Sequence, residues 1–106
     1  MPTLNTKQPI CLSSLKLLSD YWSLRLIDEL SDRIPLRFNE LERRLEGVNT
    51  ATLTKRLKEL QAGDLVSRTE RSRADVTYTL TKLGYEALPL LSAVNHFSAA
   101  KQRQLS

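Results

Sequence analysis

The side chains best suited to chemistry fall in two short runs. The first is Asn49, Thr50, Ala51, Thr52, Thr54, Lys55, Arg56 and Lys58; the second is Arg68, Arg71 and Arg73. Lysine and arginine pair phosphate oxygens, while short hydroxyl or methyl side chains reach base edges or a thymine methyl group. Arg37, the cation ahead of the preceding helical pattern, is counted with them. Segment 50–73 sets six cations against Glu59, Asp64 and Glu70, an excess of +3 within a chain whose net charge is +4. Charge gathered in one stretch is a footprint for an anionic partner, which the net value alone is not.

Other chemistries lack their parts. His96 is the sole histidine and Cys11 the sole cysteine, so neither a zinc site nor an internal disulfide can be assembled. No glycine-rich phosphate loop and no nucleophile with a plausible base is present. No catalytic residue, metal or cofactor is expected, and the chain is not read as an enzyme.

The 106 residues, 41% hydrophobic and 26% charged, suffice for one core and not for two, so every function must share one domain. That domain is placed at 10–98, after a loose leader over 1–9 and before a frayed polar tail over 99–106. No apolar run has signal-peptide length near the start, and none reaches the ~18 residues of a membrane span. The expected location is the cytoplasm, without membrane contact.

The elements that must carry these residues follow from spacing. Leu12, Leu15 and Leu18, then Trp22, Leu26, Ile27 and Leu30, predict one or two amphipathic helices over 12–31, with a break at Asp20 and Tyr21. Leu36 to Phe38, after Pro35, fit a very short edge strand. Phe38, Leu41 and Leu45 share a helical face ended by Gly47; Asn49 then caps a second short helix carrying Leu53, Leu57 and Leu60. Two short helices joined by a tight turn are a helix-turn-helix. From Leu65 the period drops to two, giving two strands around a tip at 71–75. Thr81 caps a last helix holding Leu83, Ala87, Leu88, Leu91 and Val94, bent at Pro89. The fold class is thus mainly α with a small β-hairpin (α+β), a winged helix-turn-helix.

With Leu53, Leu57 and Leu60 turned inward, Ala51, Lys55 and Lys58 point away, and Thr52 and Thr54 lie on the flanks. A helix so dressed fits a major groove, and the basic hairpin fits the backbone or minor groove beside it. Double-stranded DNA is the expected partner. The alternative is a winged-helix module that binds a protein or only dimerises. RNA is disfavoured, because segment 50–73 lacks the aromatic residues that stack single-stranded bases.

Four pieces carry a family resemblance: Trp22-Ser23-Leu24-Arg25-Leu26-Ile27-Asp28-Glu29-Leu30, Arg37-Phe38-Asn39-Glu40-Leu41, Leu53-Thr54-Lys55-Arg56-Leu57-Lys58-Glu59-Leu60 and Tyr78-Thr79-Leu80-Thr81-Lys82-Leu83-Gly84. In this order, over roughly 12–97, they resemble HxlR-type winged helix-turn-helix regulators. The resemblance implies a homodimeric transcription regulator, here expected to be a repressor, paired through its N- and C-terminal helices on a two-fold operator. It departs from the family at Gly63-Asp64, where Asp-Gly is usual, and at Asp20-Tyr21, where Gly-Lys is usual.

The pairing surface is assigned to Leu12, Leu15 and Leu18 with Leu88, Leu91 and Val94, more apolar helical surface than one small domain covers. Some members of the family sense oxidants through a cysteine ahead of the tryptophan. Cys11 lies three residues closer to Trp22 than that pattern, whose position falls on Gln8. It is therefore retained as a candidate redox residue but read as an inert thiol at the dimer contact. Trp22 is assigned to the core, and Asn39 and Glu40 to a stabilising first helical turn.

Overall fold

Asp20 makes the first break in the chain. Its Oδ2 accepts the Ser23 backbone N–H at 3.0 Å, capping a new helix and ending the previous one. Helix α1 (Leu12–Leu18) therefore stops short of α2 (Tyr21–Glu29). The structure, a computed structural model, describes residues 9–105. Most of the expected leader lies outside the described residues. A 3-10 turn, Leu30–Asp32, follows α2 and ends at Arg33, whose left-handed φ of 64° turns the chain. Leu36 then forms an isolated antiparallel bridge with Tyr78; the edge strand expected over Leu36 to Phe38 is reduced to that one residue, because Phe38 already begins the next helix.

Helix α3 (Phe38–Arg44) starts where Glu40 accepts the Arg37 backbone N–H at 2.9 Å. It ends three residues before Gly47, which takes φ 88° in the turn. Asn49 Oδ1 accepts from Ala51 N–H (2.7 Å) and Thr52 N–H (3.3 Å) and opens α4 (Thr50–Ala62). Strands β1 (Val66–Ser72) and β2 (Asp75–Leu80) pair antiparallel, from Val66 opposite Leu80 to Ser72 opposite Asp75. The register slips between Glu70 and Ser72, so Arg71 is the extra residue of a bulge and the turn itself is only Arg73-Ala74. The five-residue tip read from the sequence is corrected to that two-residue turn.

The last helix is also corrected, because it is two. Helix α5 (Lys82–Tyr85) ends at Glu86, and α6 (Leu88–Leu105) begins afresh. Pro89 breaks the helix rather than bending it: its ring would meet the carbonyl four residues back, whereas in a first turn its missing N–H costs nothing. Residues 99–105, read as a frayed tail, continue α6.

The core joins the helices to the hairpin. Leu26 and Ile27 of α2, Leu30, Leu36, Leu41 and Leu45 around α3, and Leu53, Leu57 and Leu60 of α4 are all at most 2% exposed. Trp22 packs against them. Burying each such leucine contributes about 1.5–3 kcal/mol, enough to fix α4 with its opposite face outward. Thr81 and Gly84 lock the hairpin to the body. The Thr81 side chain accepts from Gly84 N–H (2.9 Å) and donates to the Asp64 carbonyl (2.5 Å). A Cβ at Gly84 would stand 2.2 Å from the Leu65 carbonyl oxygen, so no other residue fits there without movement. The Tyr-x-Leu-Thr-x-x-Gly piece is thus a joint between wing and helix.

Asp64 holds the left-handed φ of 62° that a glycine would take more easily, and Gly63 stands one residue early. A Cβ at Gly63 would meet Leu17 Cδ2 at 2.7 Å, so glycine here admits α1 against the end of α4. The radius of gyration, 15.7 Å, exceeds the roughly 13 Å of a compact chain of this length. The excess matches the projection of α6, in which every residue after Leu91 except Ala100 is exposed. No helix among the described residues is long and apolar enough to cross a membrane.

Candidate nucleic-acid interface

Helix α4 divides its polar residues between free and committed. Ala51, Lys55 and Lys58 are exposed on the face opposite Leu53, Leu57 and Leu60, and neither lysine has an ion pair among the described residues. Thr50 Oγ1 donates to Glu42 Oε2 (2.5 Å), and Thr54 Oγ1 donates to the Thr50 carbonyl (2.9 Å). Thr52, half-buried, keeps its hydroxyl without a partner among the described residues. Asn49 spends its side-chain oxygen on the cap.

Arg56, counted with the candidate DNA-contacting cations, turns sideways, its side chain 24% exposed, with Nε 3.1 Å from Asp20 Oδ2 and Nη1 2.7 Å from Glu59 Oε1. The Nε is buried and too poorly aligned on Asp20 for a hydrogen bond, so that contact is charge attraction alone. Arg56 ties α4 to the cap of α2.

The wing divides in the same way. Arg68 pairs with Glu70 at 3.0 Å and is held more firmly protonated by the Tyr78 side chain first and Glu70 second. Arg71, on the bulge, lies 3.9 Å from Asp75, and Arg73 at the turn is exposed with no ion pair among the described residues. Arg37 is occupied too, donating to the Ala74 carbonyl and to Asp75 Oδ1, both at 3.0 Å. Helix and wing meet at a cleft of about 130 Å³ lined by Phe38, Thr54, Leu57, Lys58, Gln61, Arg68 and Tyr78. Glu42 and Asp75 escaped the sequence reading, since an acid facing a basic surface gives no signal until its partner is seen.

Of the residues expected to pair two copies, Leu12 (74% exposed), Leu15 and Val94 stand on the surface, while Leu18, Leu88 and Leu91 pack partly against the core. Ile10, Leu90 and Phe97, not singled out by spacing, are exposed as well. Leu90, Val94 and Phe97 fall at i, i+4 and i+7 and so form one stripe along α6. Cys11 is exposed ahead of α1. Its sulfur shares a 3.3 Å hydrogen bond with Ser13 Oγ and accepts one of 3.4 Å from Ser14 Oγ. These bonds, Ser13's first, lower the thiol from 9.0 to about 7.

Residues 17–105 match the model of the HxlR-like helix-turn-helix family. An HTH-type transcriptional regulator of Halalkalibacterium halodurans is 33% identical over 91 residues, 84% of this chain and 80% of the relative. YdzF, an HTH-type transcriptional regulator of Bacillus subtilis, is 30% identical over 83% of each chain. The crystal structure of a transcriptional regulator of Enterococcus faecalis, described as of the MarR family, superposes with a TM-score of 0.76 at 31% identity. That superposition covers 94% of this chain and 96% of the other.

Proposed function

Because this chain belongs to the HxlR-like helix-turn-helix family and is a transcriptional regulator of winged-helix type, we propose that it binds double-stranded DNA as a homodimer and represses transcription in the cytoplasm. The observation that carries this reading is the outward face of α4. There Ala51, Lys55 and Lys58 are exposed, the lysines without an ion pair among the described residues, beside a wing that offers Arg71 and Arg73. The lysines and wing arginines neutralise phosphates, and α4 lies in the major groove with Thr52 nearest to a free hydroxyl contact.

Dimerisation is supported by the apolar stripe of α6 together with Ile10, Leu12 and Leu15, which no part of the described chain covers. Two copies related by a two-fold axis call for a two-fold operator.

The test is selection of bound fragments from random duplexes, followed by titration of the selected and a scrambled duplex. The reading expects a two-fold sequence bound roughly 10³-fold or more tightly than the scrambled one. Equal, feeble binding to both would leave a protein-interaction module instead.

A further inference from the structure

The start of α3 is fastened to the wing twice. Leu36 and Tyr78 exchange both backbone hydrogen bonds, at 3.1 and 2.8 Å. Arg37 then reaches across 38 positions of chain to Asp75 Oδ1 at 3.0 Å, and its other terminal nitrogen donates to the Ala74 carbonyl, also at 3.0 Å. Asp75 Oδ2 stands 3.9 Å from Arg71 Nη1. One carboxylate thus lies between two guanidinium groups at the tip of the hairpin, and Arg37 and Arg73 line an adjoining cleft of about 260 Å³ with Phe38, Asn39, Ala74 and Val76.

An acid on a surface that meets phosphates weakens binding by simple repulsion unless it serves another end. A two-stranded hairpin is marginal by itself, and a tip free to move must be ordered when DNA arrives, which costs affinity. The clasp removes that cost in advance. We infer that Arg37 and Asp75 are positioning residues for the wing: together they hold Arg71 and Arg73 in fixed relation to α4, and Arg37 acts through this clasp rather than by touching DNA. The inference rests on the duplex-binding reading above.

Arg37→Ala, Asp75→Asn and the double variant test it, with thermal melts to confirm that each folds. Backbone amide relaxation of the DNA-free proteins is expected to show Ser72 to Asp75 loosened in both single variants and no further in the double. On a selected duplex, hydroxyl-radical footprints are expected to lose the outer protection given by the wing and keep the central protection given by α4. Affinity falls about three- to tenfold, even for Asp75→Asn, which removes a negative charge. Tighter binding by Asp75→Asn with an intact footprint overturns the inference, and so does a footprint shortened by Arg37→Ala alone, which makes Arg37 a phosphate contact. Wild-type protein that protects no duplex overturns the duplex-binding reading, while the relaxation data still decide whether the clasp orders the tip.

Discussion

Arg56 lies with its Nε 3.1 Å from Asp20 Oδ2, so a cation in the middle of α4 serves the cap of α2 rather than the outward face. The same carboxylate oxygen holds the first turn of α2 through Ser23. Arg56→Ala therefore acts on the fold. We expect a loss of about 1–2 kcal/mol in denaturant unfolding, since Asp20 is left partly buried without its partner. The salt dependence of DNA binding stays at the wild-type value. A lowered salt dependence with unchanged stability would return Arg56 to the DNA contacts.

Gly84 supports a stability prediction of a different kind. Its missing Cβ leaves room for the Leu65 carbonyl, a backbone atom that cannot swing aside. Gly84→Ala should cost about 2–3 kcal/mol, the range of an overpacked site, and lower the melting temperature by more than about 8 °C. A melting curve overlaying the wild type would mean that the wing–α5 joint is loose.

Much of this architecture could be read from spacing. Leu53, Leu57 and Leu60 set α4 and its inward face, and Asn49 marked its start. What escaped depends on contacts distant in sequence or on competing local preferences. Nothing near Arg37 points to Asp75, and the bulge at Arg71 hides inside an alternating run. Residues 99–105 have no apolar period, yet Ala99, Ala100, Lys101, Gln102, Arg103 and Gln104 favour helix intrinsically, and propensity prevailed over pattern.

The threonines of α4 should separate by what their hydroxyls already do. Thr54 Oγ1 is spent on the Thr50 carbonyl, so its methyl group is what remains for a base. Thr52 retains a hydroxyl with no partner among the described residues. Thr54→Val should leave discrimination between selected and scrambled duplex nearly unchanged, whereas Thr52→Val should narrow it by about 1–3 kcal/mol. The reverse order in competition titrations would refute this assignment.

Cys11 should behave as an acidic thiol. Its hydrogen bonds from Ser13 and Ser14 favour the anion and lower the thiol to about 7. Iodoacetamide reacts with thiolate, so the alkylation rate of the folded protein should climb as pH rises through about 7 and fall away below it. In urea the half-point moves up towards about 8.5, and Ser13→Ala with Ser14→Ala moves it up in the folded protein. A folded half-point equal to the unfolded one would contradict the assignment.

Lys55 and Lys58 carry the central claim, because they are cations on the outward face of α4 with no ion pair among the described residues. The most direct test is the slope of log K against log salt on a selected duplex, for wild type, Lys55→Ala with Lys58→Ala, and Arg56→Ala. The account predicts a steep negative wild-type slope, flattened by about 0.9 for each lysine that pairs a phosphate, and no change for Arg56→Ala. Equal slopes for the wild type and the double lysine variant would contradict it, since α4 would then not face the DNA backbone.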